Sequence, residues 1–174
     1  MTTLTKEWVI GRFPHYAPVV TVRPIRPSDA VLIEQMHRRL SPTSLYQRYL
    51  QNRIPPLNEL AAVCSIRPER GAGFVATVQQ QGEIVVGLAY YVREAYGQVE
   101  TAEPGILVED RFQWQGIGRN LWQQLHYHAQ ANQINQLRVW CAPGNNGVQS
   151  LLRGSGFAYQ AKASYGLSEY LVAL

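Results

Sequence analysis

Gly116 and Gly118 sit in the stretch Gln113-Trp114-Gln115-Gly116-Ile117-Gly118-Arg119. The apolar run Ile106-Leu107-Val108 precedes it, and a helical pattern of Leu121, Trp122, Leu125 and Ala129 follows. A strand that passes through such a turn into a helix is suited to hold phosphate. The turn's N–H groups and the first helical turn converge on one spot, where the aligned peptide dipoles favour an anion. Glycine lacks Cβ, so the main chain can take positive φ and a ligand can approach it closely. The spacing is neither a three-glycine dinucleotide fingerprint nor a P-loop, because no Gly-Lys-Ser/Thr follows. The same residues also fit a helix with a tight N-terminal turn that binds nothing. The surrounding elements must decide between the two.

Those elements follow from periodicity and turn chemistry. Val19–Val22 is a β-branched strand ended near Pro24. Pro27-Ser28-Asp29 starts a helix with Ser28 or Asp29 as N-cap, and Leu32, Ile33, Met36 and Leu40 continue it at helical spacing. Ser41-Pro42 opens a short second helix through Leu45 and Tyr49, broken at Ile54-Pro55-Pro56, and Leu57–Cys64 is helical again. Phe74–Val78 and Ile84–Val92 are strands joined by a hairpin over Gln79–Glu83, and Gly97 marks a turn. Val99–Val108 is a strand in which Pro104 and Gly105 predict a bulge or an edge position. The helix after the glycine turn runs to about Asn132. Leu137–Cys141 is a strand, Pro143-Gly144-Asn145-Asn146 turns into a short helix Val148–Arg153, and Gly154-Ser155-Gly156 ends it. Phe157–Ala161 and Leu167–Val172 close the chain as strands. The order predicts an α/β protein with a mixed sheet (α+β in its antiparallel part), covered on both faces. Its ligand is expected where parallel neighbours diverge beside a helix N-terminus.

Composition limits the rest. At 174 residues, 46% hydrophobic and 16% charged, the chain is one ordinary globular domain with a full core. No apolar run is long enough to span a bilayer, and Met1–Pro18 does not read as a secretory signal, so no membrane partner is expected. Residues 1–18 form an apolar arm that suits its own domain or a second subunit, and a homo-oligomer is left open. Cys64 and Cys141 share no metal-type spacing and read as reduced cytoplasmic thiols. The net charge of +4 favours an anionic ligand but is too small to argue for nucleic acid.

At this point the residues resemble the GCN5-related N-acetyltransferases (GNAT). Gln113-x-x-Gly116-x-Gly118 matches that family's acetyl-CoA pyrophosphate motif, and Asn145 followed by Leu151 and Gly156-Phe157 matches its second signature. The resemblance covers about 19–174 and implies a GNAT-like acyl-CoA N-acyltransferase fold of about seven strands with four to five helices. A narrower likeness is carried by Val22-Arg23-Pro24-Ile25-Arg26-Pro27-Ser28-Asp29 and His37-Arg38-Arg39-Leu40-Ser41-Pro42-Thr43-Ser44-Leu45-Tyr46. These are similar to the acetyltransferase domain of bacterial Pat-type protein lysine acetyltransferases.

The resemblance implies an acetyl-CoA-dependent N-acetyltransferase with acetyl-CoA as cosubstrate and a protein lysine as acceptor. Ala102-Glu103 matches the subgroup's Ala-Glu pair, which makes Glu103 the implied general base. Ile106, Leu107, Val108, Gln113, Trp114, Gln115, Gly116, Ile117, Gly118, Arg119 and Asn145 become the implied cosubstrate-binding residues, and no metal is implied. An ammonium must lose its proton before it attacks a thioester, so a carboxylate base fits the chemistry. A backbone N–H near Leu107 or Val108 would hold the developing oxyanion. Leu152 stands where many family members have the tyrosine acid for the thiolate, with Tyr159 and Tyr165 as substitutes from elsewhere.

Plainer readings stand beside each of these. Glu103 also fits a solvent-facing strand carboxylate, Asn145 an N-cap, and Cys141 a small buried hydrophobe. His126 and His128 fit surface or satisfied core groups. Trp114 stands where the family often has a basic residue, and Arg119 either compensates or is merely solvated. A small-amine acetyltransferase and a catalytically silent acyl-CoA-binding module are the rival functions.

Overall fold

β-Branched and aromatic residues alternate between two buried surfaces along the strands, and the helices supply the layers that cover them. The computed structural model of the chain describes residues 5–9, 18–95 and 99–174. Gly97 lies outside the described residues. The strands are β1 (Lys6–Val9), β2 (Val19–Pro24), β3 (Gly71–Gln79), β4 (Glu83–Arg93), β5 (Thr101–Val108), β6 (Gln136–Cys141), β7 (Tyr159–Ser164) and β8 (Leu167–Ala173). The helices are α1 (Ala30–His37), α2 (Pro42–Tyr49), α3 (Leu57–Cys64), α4 (Ile117–Ala131) and α5 (Asn146–Ser155). They build one mixed sheet of order β1-β2-β3-β4-β5-β6-β8-β7, in which only β5 and β6 run parallel.

Each face carries its own core. On one side Val20, Val22, Phe74, Ala76, Ala89 and Ala102 meet Ile117, Leu121, Trp122 and Leu125 of α4 and Leu152 of α5. On the other, Val75, Val85, Leu88 and Leu107 meet Ile33 and Met36 of α1, Leu45 of α2 and Leu60 of α3. The register of β3 against β4 shifts between Ala76 and Thr77, whose partners are Gly87 and Val85. Val86 is the extra residue of this bulge, and it turns the following alternation over. A Cβ on Gly87 would lie 2.9 Å from Leu121 and 3.2 Å from Ile117. The missing side chain therefore lets the first turns of α4 settle directly on β4, which fixes where the glycine turn stands.

Several local expectations change. Ser41 caps α2 as expected, accepting the Ser44 N–H at 3.1 Å with Pro42 in the first turn. Asp29 sits at the α1 cap position but its carboxylate serves other donors: Arg23 through two hydrogen bonds of 2.8 and 2.9 Å, and the Arg26 N–H at 2.7 Å. α2 ends at Leu50 in the left-handed region (φ 57°), before the prolines are reached. β5 is unbroken: no register shift occurs at Pro104, and the side it turns away from β4 is unpaired from residue 103 on. The eighth strand is β1, from the segment expected to be an arm, paired antiparallel with β2 from Lys6↔Val22 to Val9↔Val19. No helix among the described residues is long and apolar enough to cross a membrane.

Candidate active site

β5 and β6 touch through only two pairings, Thr101↔Gln136 and Ala102↔Leu137, and then part. Beyond that point β5 stays bonded to β4 and β6 to β8, so the sheet opens along its middle. A cleft of about 480 Å³ fills the opening, with Pro104 to Val108 along one wall and Val139 to Cys141 along the other.

The ladder's parity decides which β5 amides face this cleft. Glu109 N–H donates to Val86 O and Glu94 N–H to Thr101 O, so the odd-numbered residues of β5 bond to β4. The amides of Ile106 and Val108 therefore point toward β6, into the opening. Leu107 lines the cleft, but its N–H is committed to β4, which corrects the expectation that its amide is free. Pro104 has the same parity as Ile106, so its missing N–H removes no β4–β5 bond.

The glycine turn closes one end of the cleft. Gly116 is left-handed at φ 85° and caps α4 without any side-chain bond. Asn120 is the first residue whose N–H closes onto the turn, to Gly116 O at 3.0 Å. The preceding amides of α4 are left as orphan donors at the positive end of a 15-residue helix. Gly116, Gly118 and Arg119 line the cleft there, while Ile117 is fully buried and anchors the turn in the core. Trp114 is left-handed at φ 61° and 70% exposed at the cleft edge. Gln115 donates Nε2 to Arg111 O at 2.8 Å, and its Oε1 is buried without a partner. Gln113 also lines the cleft, and its Nε2 donates to Val108 O at 3.0 Å and to Ser44 Oγ at 3.2 Å.

That last bond is one of several that fasten the α1–α2 corner to the segment before the turn. Arg39 Nε donates to Glu109 at 2.8 Å. Ser41 gives both its N–H (2.9 Å) and its hydroxyl (2.7 Å) to Asp110, and Ser44 adds its hydroxyl at 2.8 Å. Burial alone would push the Asp110 carboxyl up, but these hydroxyl and amide donors outweigh it and hold it below the ordinary carboxylate range. The string from His37 to Tyr46 thus acts as a fastening that sets α2 over β5.

Ser44, Gln47 and Arg48 of α2 line the cleft; Ser44 belongs to the Pat-like string, and neither Gln47 nor Arg48 is marked by motif or periodicity. Arg48 Nη2 donates to Tyr90 OH at 2.5 Å, and its guanidinium carbon lies 5.1 and 5.4 Å from the ring centres of Tyr49 and Tyr90. Tyr49 hydroxyl donates to His37 Nε2 at 2.6 Å, because Nδ1 of that ring is engaged with Ile33 O at 2.7 Å. Burial pushes His37 down, keeping it neutral, and pushes Tyr49 up to about 12.

On the far wall Asn145 is both an N-cap and a cleft residue. Its Oδ1 accepts the Val148 N–H at 3.1 Å, and it is buried. Leu151 and Ser150 line the cleft, whereas Leu152 is 1% exposed in the core beneath α4. Tyr159 and Tyr165 lie on β7 and on the following turn, outside the cleft lining. Cys141 lines the cleft, and burial pushes its thiol up, against a nucleophilic role. His126 is buried and bonds Trp122 O at 3.1 Å, and half-buried His128 meets Tyr91 OH at 3.1 Å. Glu103 is exposed, stands one residue beyond the last β5–β6 pairing, and is just outside the lining that begins at Pro104. Its side chain shares a face with Gly105, beneath α2, and has no hydrogen-bond partner among the described residues.

A split sheet with an uncapped, glycine-led helix at its mouth suits a long anionic ligand carrying a reactive end. Comparison with known proteins decides which. Residues 34–157 match the model of the acetyltransferase (GNAT) family. The chain belongs to the GNAT acetyltransferase family. The fold of this GNAT acetyltransferase is similar to the GNAT domain of S. lividans PAT, with a TM-score of 0.81 at 19% identity over 98% of this chain and 97% of that one. It is also similar to the ribosomal-protein-S5-alanine acetyltransferase from Vibrio fischeri (TM-score 0.69, 17% identity, 96% of each chain). A third is a phosphinothricin acetyltransferase from Sinorhizobium meliloti in complex with acetyl-CoA (0.69, 19%, 88% of this chain and 86% of that one). Acetyl-CoA is the cosubstrate of this GNAT acetyltransferase, and the residues present fit it. Orphan amides at Gly116–Arg119 suit a diphosphate, and free β5 amides at Ile106 and Val108 suit an extended amide-bearing arm.

Proposed function

We propose that the chain transfers the acetyl group of acetyl-CoA to a primary amine, most directly a protein lysine ε-amine, with Glu103 as general base. In this reading the turn from Gln113 to Arg119 holds the diphosphate, the Val108 N–H holds the arm, and Asn145 supports it from the far wall. The thioester then reaches the narrow end of the cleft, where β5 and β6 converge. The observation that supports Glu103 is its position at that convergence, one residue past the Ala102↔Leu137 pairing. A carboxylate there takes the ammonium proton directly or through a water, leaving a neutral amine to attack. Of the two free β5 amides, the Ile106 N–H lies nearer that end and donates to the oxygen on which charge develops.

The acceptor rests on the likeness of the Val22–Asp29 and His37–Tyr46 strings to Pat-type domains. By their names, the neighbours of similar fold act on a ribosomal protein and on a small molecule, so the fold does not choose between them. Both cysteines are buried and unpaired, which supports a reducing, cytoplasmic setting. The deciding experiment supplies acetyl-CoA with lysine peptides, intact proteins and free amines while thiol release is followed. Turnover on lysine peptides supports the reading, turnover only on free amines gives the small-amine enzyme, and CoA binding without turnover gives the silent module.

A further inference from the structure

Among the described residues, Arg48 is the one cleft-lining cation at the convergent end of the opening. Its guanidinium occupies the space over Gly105, where a Cβ would lie 2.1 Å from Nη2. From there to Val108, where the wall meets the glycine turn, is three residues of extended strand, on the order of 10 Å. Arg48 therefore stands at the reacting end and is out of place for the diphosphate, which has Arg119 and the α4 amides.

The side chain is held ready but left without a counter-ion. Tyr90 OH takes one N–H, the rings of Tyr49 and Tyr90 lie 5.1 and 5.4 Å from the guanidinium carbon, and the part-buried Tyr49–His37 bond fixes one of those rings. No carboxylate lies within 4.0 Å of Arg48 among the described residues, although Arg23, Arg39, Arg93, Arg111 and Arg138 all have one. A guanidinium has five donors, always charged, in a fork matched to a carboxylate. A bare acceptor ammonium would be repelled by this cation. An acceptor with a carboxylate beside its amine would pair with it, and the amine would then be set toward the thioester.

We propose that Arg48 selects the acceptor by binding a carboxylate carried close to the amine. This deepens the acetyltransferase reading above and rests on it. Two sources share the chemistry: an acidic residue next to a lysine in a polypeptide, and the α-carboxylate of a free amino acid.

The test compares kcat/KM, by thiol release from acetyl-CoA, for three peptides with Glu, Gln or Arg beside a single lysine. It also compares free L-lysine with its decarboxylated diamine. The expected result is a preference of about tenfold (about 1.4 kcal/mol) for the carboxylate-bearing member of at least one set. Preference within the peptides identifies an acidic neighbour, and preference only for L-lysine over the diamine identifies the α-carboxylate. Arg48→Gln should bring the ratio to one while calorimetry shows CoA affinity retained. Equal kcat/KM within both sets for the wild-type protein overturns the proposal with the acetyltransferase reading intact, whether or not the variant folds. No turnover on any amine, with CoA still bound, overturns that reading and this one with it.

Discussion

Arg48 and Gly105 compete for one volume, with a hypothetical Cβ at 105 placed 2.1 Å from Nη2 and 2.8 Å from the Tyr90 ring. Gly105→Ala must push the guanidinium aside or shift β5. The expected cost is about 1–3 kcal/mol of overpacking, measured by denaturant unfolding. In an Arg48→Ala background the cost should shrink without vanishing, since the Tyr90 ring remains. Additive losses would show that the two residues do not share the space.

Glu103→Gln removes the base but keeps the shape. Turnover should fall by about 10²–10⁴-fold, with CoA affinity unchanged in a calorimetric titration. Undiminished turnover would remove Glu103 from the mechanism.

Gly116 and Gly118 should separate by readout. Gly116 is at φ 85°, so Gly116→Ala strains the turn by about 1–2 kcal/mol and also weakens CoA binding. Gly118 has ordinary backbone, and its Cβ would meet only Val108 Cγ2 at 3.8 Å. Gly118→Ala should leave the melting temperature level or higher, because alanine is the better helix former. Any loss of CoA affinity there reports close approach of the ligand to the main chain.

The Arg23–Asp29 clasp is buried, with Glu83 completing it at 2.9 Å. Burial alone would raise the Asp29 carboxyl, but hydrogen bonds from Arg23 and Arg26 hold it below its ordinary value. A group lowered in the folded state stabilises above its unfolded value, about 3.9, and loses that contribution as pH falls through its folded value. Wild-type stability should therefore decline from about pH 4 downward. Arg23→Leu leaves a buried unpaired carboxylate and should cost about 3–5 kcal/mol at pH 7. Its deficit should narrow on acidification, since a protonated Asp29 needs no cation. A deficit independent of pH, followed by urea titration between pH 3 and 7, would refute the assignment.

Much of this architecture is legible in the sequence where one residue answers a local demand. Gly116 supplies a left-handed turn, Ser41 an oxygen for the Ser44 N–H, and Asn145 the same for Val148. The diverging strands follow from element order. The α2 wall of the cleft does not, because it is made by contacts between distant parts of the chain: Ser44 and Gln113 are 69 residues apart. The string Val22 to Asp29 is recognisable by likeness alone, and its physical reason, a salt-bridged clasp, appears only when β2 and the α1 start are seen together. β1 has four residues and no usable alternation, and its register comes from β2. The free amides at Ile106 and Val108 depend on ladder parity, which no single-residue preference encodes.

The two-residue junction between β5 and β6 has a further consequence. β1–β5 form one slab and β6–β8 another, stitched by Thr101↔Gln136 and Ala102↔Leu137, by Arg138 Nε donating to Glu94 at 2.7 Å, and by the helices. In the reading proposed above, an extended ligand bonded to the free edge of β5 would act as a borrowed strand between the slabs. At a hundredfold excess over Kd such binding adds about 2.7 kcal/mol to the folded state. The protein without acetyl-CoA is thus expected to unfold more readily than the bound one.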